Sequence, residues 1–211
     1  RGLLKPLNGI EKMIMIRLAK PSISDEDIHA VVRTLKSGNL TQGILVKQFE
    51  SAVAQYVGTK YAIAVSSGTA ALHLALLTLN LKKGDEVIIP DYTFPATANV
   101  IQLIGAQPYL VDIHLRTFNM NPEAIRNAIT AKTKAIMPVH LFGQPAEMNT
   151  NMEIARKNRL HVIEDAACAL GTEYKNTKCG TFGDAGCFSF HPRKIITTAE
   201  GGMVVTNNGQ I

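Results

Sequence analysis

A strand pattern followed at once by a helix pattern occupies residues 61–72, which read Tyr61-Ala62-Ile63-Ala64-Val65-Ser66-Ser67-Gly68-Thr69-Ala70-Ala71-Leu72. The apolar run at 61–65 predicts a strand, and the apolar pattern that extends over 69–79 predicts a helix. The small residues at 66–68 suit a tight turn between them. A strand that leads directly into a helix is the first half of a βαβ unit, so this segment predicts an α/β fold.

The same alternation of short apolar runs and helical patterns continues on both sides of this segment. Further helices are predicted at 25–36, 46–56, 96–104, 122–129 and 147–158. Further strands are predicted at 86–90, 107–111, 134–139, 161–164, 185–190 and 203–206. Because the strand runs are apolar without alternation, we expect helices to cover both faces of the sheet. Residues 13–211 are therefore predicted to form one α/β domain, a mainly parallel mixed sheet sandwiched by helices.

The composition is that of a folded protein with a hydrophobic core. The 211 residues are 46% hydrophobic and 18% charged, which excludes an intrinsically disordered chain. The longest apolar stretches, such as 70–77, fall short of the ~20 residues that a membrane span needs. The formal net charge of +5 is concentrated in residues 1–20 and gives no evidence of a nucleic-acid-binding face. We expect residues 1–12 to be a disordered basic extension, and the end of the chain after a strand-and-turn pattern at 201–211 to mark a truncated product.

The cysteines Cys168, Cys179 and Cys187 bear on the cellular compartment. Their odd number and their spacing match neither a C-x-x-C motif nor a disulfide framework. This pattern predicts a reducing, cytoplasmic location. No His/Cys spacing typical of zinc sites is present, so no metal site is predicted.

The turn Ser66-Ser67-Gly68-Thr69-Ala70 is a candidate phosphate site. Free N–H groups at a helix N-terminus, with hydroxyl groups beside them and a glycine that permits close approach, suit a phosphate. A purely structural turn is the alternative. The turn matches neither the P-loop motif nor the G-x-G-x-x-G motif, which weakens ATP-binding and dinucleotide-binding hypotheses.

The acidic pair Glu164-Asp165 closes the strand predicted at 161–164. Ligands of open α/β sheets bind at the carboxyl ends of strands, where a carboxylate can pair with a cationic ring nitrogen or a metal. The alternative for Asp165 is that it caps a helix.

Lys194 follows the strand predicted at 185–190, in Phe188-Ser189-Phe190-His191-Pro192-Arg193-Lys194, and precedes the glycine turn at 201–202. A lysine in a cleft loses its proton more readily than a solvated one, as a Schiff-base nucleophile requires. A solvated surface lysine is the alternative. A phosphate cradle, a carboxylate at a strand end and a lysine amine are together the contacts that pyridoxal 5′-phosphate needs.

From about residue 21 to residue 207, the sequence resembles the DegT/DnrJ/StrS family of sugar aminotransferases. This family lies within fold type I, the aspartate aminotransferase superfamily. The matching segments are Ser37-Gly38-Asn39-Leu40-Thr41-Gln42-Gly43, Val65-Ser66-Ser67-Gly68-Thr69-Ala70-Ala71-Leu72, Pro138-Val139-His140-Leu141-Phe142-Gly143-Gln144-Pro145, Glu164-Asp165-Ala166-Ala167 and Phe188-Ser189-Phe190-His191-Pro192 through Lys194.

The resemblance implies a role for each of these cofactor contacts. Lys194 would bind pyridoxal phosphate covalently and shuttle the proton, and Asp165 would pair with the ring nitrogen. Gly68, Thr69 and Ser189 would hold the phosphate.

Three further positions bear on the cofactor. Phe94 matches the aromatic residue that stacks on the cofactor ring, although the sequence taken alone favours a core position for it. Cys168 lies near the cofactor's 3-hydroxyl, where the family usually has Gln or His, and a thiol is a weak hydrogen-bond partner. Lysine at 194 argues against the related sugar dehydratases, which have histidine there.

Elsewhere, His140 and His73 are interpreted as a loop group and a helix-face group, and Gln42 as a loop residue near substrate.

The implied function is transfer of an amino group, most often from glutamate, to a nucleotide-linked keto-sugar in amino-sugar and polysaccharide biosynthesis. The implied assembly is a homodimer, and neither nucleic acid nor membrane is an expected partner. Family members are nearly twice as long, so we expect the C-terminal small domain to be missing from this chain. Two alternatives remain open: a non-catalytic or regulatory relative that retains the cofactor-binding fold, and a nucleotide-binding sensor.

Overall fold

The computed structural model describes residues 19–211. The extension predicted at 1–12 lies outside the described residues. The helices are α1 (Asp25–Ser37), α2 (Ile44–Val57), α3 (Gly68–Leu77), α4 (Ala96–Leu103), α5 (Pro122–Ala128) and α6 (Met148–Asn158). The strands are β1 (Tyr61–Val65), β2 (Glu86–Pro90), β3 (Gln107–Val111), β4 (Thr133–Ile136), β5 (His161–Asp165), β6 (Glu173–Tyr174), β7 (Thr177–Lys178), β8 (Ala185–Ser189) and β9 (Gly202–Thr206).

Seven strands form one sheet in the order β1-β9-β8-β5-β4-β2-β3. Four neighbouring pairs are parallel, namely β5 with β8, β4 with β5, β2 with β4 and β2 with β3. The strands β8 and β9, and β9 and β1, pair antiparallel. The predicted mainly parallel mixed sheet is therefore confirmed.

Helices cover both faces of the sheet. Alternate residues of one strand enter different hydrophobic clusters: Ile88 packs with residues of α2, α5 and α6, whereas Val87 and Ile89 pack with residues of α3 and α4. In β8, Phe188 belongs to the same cluster as Ile88, and Cys187 belongs to the cluster of Val87 and Ile89. The apolar, non-alternating strands thus follow from burial on two sides.

The two outermost strands differ from this expectation. Tyr61 and Ile63 of β1 are 47% and 40% exposed, and Leu110 of β3 is 58% exposed. Both strands lie at sheet edges, where the helices do not cover the apolar side chains. The prediction of burial on both faces is therefore wrong for these edges.

Local sequence explains where several elements begin and end. The side chain of Ser24 caps α1, and Gly38 ends that helix at a φ of 72°. The strand predicted at 134–139 ends instead at Ile136, because Pro138 has no N–H to donate to the ladder. The hairpin of β6 and β7 was not predicted, since two-residue strands leave no periodic pattern.

Within the described chain, no helix is both long enough and apolar enough to cross a membrane.

Candidate active site

A cavity of about 410 Å³ opens at the carboxyl ends of the central strands. It brings together every residue that the sequence predicts for the site, and these are Gly68, Thr69, Phe94, Asp165, Cys168, Ser189 and Lys194. They come from four separate segments of the chain, and the parallel strands bring them to one edge of the sheet. A larger cavity of about 550 Å³ lies beside β1 and contains none of them.

The N-terminus of α3 forms one wall of the cavity. Ser67 is the residue that caps this helix, and its hydroxyl accepts a hydrogen bond of 3.1 Å from the Ala70 amide. The Gly68 and Thr69 amides, the first two of the helix, have no partner within it and are free for an anion. A Cβ atom at Gly68 would lie only 2.8 Å from Cβ of Ser189. Glycine is thus required for the close approach of α3 to β8, and the resulting cradle fits a phosphate.

Asp165 ends β5 and is 5% exposed. Its Oδ2 accepts a hydrogen bond of 2.9 Å from the Thr97 hydroxyl, and its Oδ1 accepts one of 3.2 Å from the Ala167 amide. Burial raises the pKa of the Asp165 carboxyl, while these hydrogen bonds and the charges of Lys194 and His140 oppose the rise. A cation at this position would relieve the cost of the buried charge, so Asp165 fits a protonated ring nitrogen. The alternative of a helix cap is wrong, because a turn and not a helix follows Asp165.

Lys194 is half-buried and lines the cavity. Its Nζ donates a hydrogen bond of 3.0 Å to Sγ of Cys168. The backbone amide of Lys194 donates to the carbonyl of His191, which holds the turn after β8. The alternative of a fully solvated surface lysine does not describe this residue.

Phe94 precedes α4 and is 71% exposed. The interpretation of Phe94 as a core residue is therefore wrong. It lines the cavity together with Thr93, whose hydroxyl lies 2.9 Å from that of Thr97. An exposed ring beside the cavity is available to a flat ligand.

His140 and Glu164 form a buried pair that the sequence did not predict. Nε2 of His140 lies 3.0 Å from Oε2 of Glu164, and both side chains are fully buried. Nδ1 of His140 accepts a hydrogen bond from the Ala146 amide, which assigns the ring proton to Nε2. His140 lies in a loop, as expected, and it also lines the cavity.

Three backbone amides complete the surroundings of Glu164. Oε1 accepts hydrogen bonds from Phe182 and Gly183, and Oε2 accepts one from Gly180. The only signal in the sequence was the acidic residue within an apolar strand. Such a residue predicts nearby donors, because a buried carboxylate requires them.

Within residues 19–211, no cluster of three or more His, Cys, Asp or Glu side chains could hold a metal ion. His73 and Gln42 do not line the cavity.

A mainly parallel mixed sheet in which an acidic strand end, a lysine and an anion cradle line one cavity is the arrangement of fold type I pyridoxal phosphate enzymes. The chain belongs to the DegT/DnrJ/EryC1/StrS aminotransferase family, whose model matches residues 21–211. The resemblance found in the sequence is thus confirmed.

Relatives of known name support the same assignment. The chain is 45% identical to GDP-perosamine synthase of Caulobacter vibrioides over 197 residues, which are 93% of this chain and 53% of that protein. An aminotransferase structure from Psychrobacter cryohalolentis superposes with a TM-score of 0.88 at 43% identity, covering 90% of this chain and 49% of that one. A putative sugar aminotransferase from Streptococcus pneumoniae in its PLP-form superposes with a TM-score of 0.89 at 37% identity, covering 93% and 54%.

The chain spans about half the length of these relatives. The predicted enzyme class and cofactor are confirmed for the family, which consists of pyridoxal phosphate-dependent enzymes.

Proposed function

We propose that this protein binds pyridoxal 5′-phosphate and transfers an amino group, from glutamate, to a nucleotide-linked keto-sugar. The observation that supports the proposal is the single cavity that both Asp165 and Lys194 line. Identity of 45% to a GDP-perosamine synthase supports a nucleotide-sugar substrate. In this proposal residues 13–211 are the cofactor-binding large domain.

Each part of the cavity takes one part of the cofactor. The phosphate would lie in the cradle of Gly68, Thr69 and Ser189, held by the free amides of α3 and by hydroxyl groups. Phe94 would stack on the ring, and its 71% exposure in the described chain leaves its face available. Cys168 would lie beside the 3-hydroxyl as a weak hydrogen-bond partner.

Pyridoxal phosphate, when bound, supplies an electron sink for the substrate carbon that carries the amino group. Asp165 would keep the proton on the ring nitrogen, since a buried carboxylate stabilises a neighbouring cation. The Thr97 hydroxyl holds the Asp165 carboxyl in place by its 2.9 Å hydrogen bond. Lys194 Nζ would anchor the cofactor and then move the proton between the substrate carbon and the C4′ atom of the cofactor.

The proposal includes a homodimer in the cytoplasm, with an amino-sugar product that enters polysaccharide biosynthesis. The homodimer is proposed from the resemblance to the family. Three free cysteines favour a reducing compartment. Light scattering on the purified protein measures the oligomeric state directly.

The test begins with the cofactor. The protein is incubated with pyridoxal phosphate, reduced with borohydride and mapped by mass spectrometry, and a phosphopyridoxyl group is expected on Lys194. Lys194→Ala should lose this label, whereas Lys178→Ala, which removes a half-buried lysine outside the cavity, should keep it. A label that remains in Lys194→Ala, or that lies on another lysine, contradicts the assignment.

The second step tests the transfer itself. The loaded protein is incubated with glutamate and a panel of nucleotide-linked keto-sugars, and formation of 2-oxoglutarate together with an amino-sugar is expected. Cofactor binding without any transfer across the panel would favour the non-catalytic relative instead.

A further inference from the structure

We propose that Cys168 and Lys194 form a reversible sulfenamide cross-link when the cofactor-free site meets a peroxide. The cross-link is a modification that goes beyond the proposed function, and only its consequence for cofactor binding rests on that function.

The geometry of the pair carries the proposal. Sγ of Cys168 and Nζ of Lys194 are 3.0 Å apart, already in hydrogen-bond contact. Both residues are partly exposed and line the same cavity of about 410 Å³, so a small oxidant reaches the sulfur. The lysine side chain has four rotatable bonds, which close the remaining distance without a movement of the backbone.

The other two cysteines are protected from this chemistry. Cys179 and Cys187 are each 1% exposed. Burial raises the pKa of Cys179 to about 12 and that of Cys187 well above its ordinary value. Since the thiolate is the form that reacts with peroxides, these two residues are inert. Cys168 is thus the cysteine of this chain that is open to oxidation and also in contact with an amine.

The reaction proceeds in two balanced steps. The Cys168 thiol reacts with hydrogen peroxide to give a sulfenic acid and one water, so the sulfur is oxidised and the peroxide is reduced. The Lys194 ammonium loses a proton to solvent, and the amine then attacks the sulfur; an S–N bond forms, and the sulfenic oxygen leaves as a second water. Two equivalents of a small thiol reverse the link and restore the Cys168 thiol and the Lys194 amine, with one small disulfide as the oxidised product.

The cross-link would prevent pyridoxal phosphate from binding to Lys194. Pyridoxal phosphate in this site requires the same Lys194 nitrogen that the link consumes, so each excludes the other. A loaded site is therefore protected from the cross-link, and a cross-linked site cannot be loaded until a thiol reduces it.

Intact-mass measurement on the cofactor-free protein tests the proposal. After treatment with one equivalent of hydrogen peroxide, we expect a mass lower by two hydrogen atoms, a linked peptide pair containing Cys168 and Lys194, and full reversal by dithiothreitol. Cys179→Ala should behave in the same way, and Cys168→Ser should show no such loss. Lys194→Arg keeps the positive charge without a nucleophilic amine, so it should instead accumulate a sulfenic acid that dimedone traps.

Two results would overturn the proposal: addition of oxygen at Cys168 of the wild-type protein without loss of the two hydrogens, or the same mass loss in Lys194→Arg. Loading with pyridoxal phosphate before the peroxide should prevent the link. A failure of the proposed function gives a different pattern, in which the link forms normally but pyridoxal phosphate does not protect.

Discussion

The hydroxyl of Thr97, on α4, donates a hydrogen bond of 2.9 Å to Oδ2 of Asp165, at the end of β5. Both side chains are buried, so this contact fixes the orientation of the carboxyl that would meet the cofactor ring. The Thr93 hydroxyl lies 2.9 Å from that of Thr97 and extends the chain of hydrogen bonds towards the loop that carries Phe94.

Thr97→Val removes this hydrogen bond with little change of side-chain shape. A hydrogen bond to a charged group contributes about 1.5–3 kcal/mol, so affinity for pyridoxal phosphate should fall by about tenfold or more. Fluorescence titration with the cofactor measures the change. Thr97→Ser keeps the hydroxyl and should bind nearly as wild type. Equal affinities for the valine and serine variants would show that the hydroxyl does not orient Asp165.

Asp165→Asn should stabilise the cofactor-free protein at neutral pH while it weakens cofactor binding. The pKa of Asp165 is raised in the folded chain by burial, whereas the unfolded value is about 3.9. The folded chain therefore holds this proton more tightly, and stability falls as pH rises from the unfolded pKa to the folded one, by at most about 1.4 kcal/mol per pH unit.

The asparagine variant does not lose stability as the pH rises, because its side chain remains neutral. Its Oδ1 still accepts from Ala167, and the Thr97 hydroxyl can rotate to accept from the amide. Thermal unfolding of the cofactor-free proteins from pH 3 to pH 8 measures the difference, which should vanish below the unfolded pKa of about 3.9. A difference that is the same at every pH would mean that the ionisation of Asp165 is not its source.

The central part of the sheet, and the positions of Asp165 and Lys194 at the cavity, could be predicted because their signals are local. The pair Glu164-Asp165 lies in one apolar run, and Lys194 follows a buried strand within a few residues. Each signal indicates a strand end, and parallel strands bring such ends together.

Other contacts join residues that are far apart in sequence and carry no local signal. Thr97 is 68 positions from Asp165, and His140 is 24 positions from Glu164, so neither partnership follows from periodicity. The exposure of β1 and β3 also depends on their place at the edges of the sheet, which the apolar runs do not encode. Without the family resemblance the sequence favoured a core position for Phe94, because hydrophobicity alone does not distinguish a core ring from a ring beside a cavity.

Gly68→Ala should damage the anion cradle. The new Cβ would lie 2.8 Å from Cβ of Ser189, so α3 and β8 must separate, at a cost of about 1–3 kcal/mol. Affinity for pyridoxal phosphate should fall by about tenfold or more, since the amides and the Ser189 hydroxyl then no longer converge. Gly43→Ala is the matched control, because Gly43 caps α2 and a Cβ there would meet only the Thr41 carbonyl at 3.9 Å. Equal cofactor affinity in both variants would contradict the cradle.

Glu164→Gln should destabilise the protein more than an exposed exchange of the same kind. Glu164 accepts four hydrogen bonds, three from backbone amides and one from His140. In glutamine an NH₂ group replaces one carboxylate oxygen, and its hydrogens would point at two of these donors. We expect a loss of about 3 kcal/mol in the free energy of unfolding by urea. Glu173→Gln, at an exposed pair with Lys178, should cost less than about 1 kcal/mol. Similar losses for the two variants would rule out a special role for the buried network.

Phe94→Ala and Phe190→Ala distinguish a ring that serves a ligand from a ring that serves the core. Phe94 is 71% exposed, so its truncation should change the free energy of unfolding by less than about 1 kcal/mol. Phe190 is fully buried and packs edge-on against Phe49, so its truncation should cost about 3–5 kcal/mol. The Phe94→Ala variant should nevertheless bind pyridoxal phosphate about three to ten times more weakly, because it lacks the stacking ring. Unfolding curves and cofactor titrations on the same preparations separate the two effects. A stable Phe94→Ala variant with wild-type affinity would mean that the ring does not stack on the cofactor, because removal of a ligand contact must appear in the affinity even where the fold is unaffected.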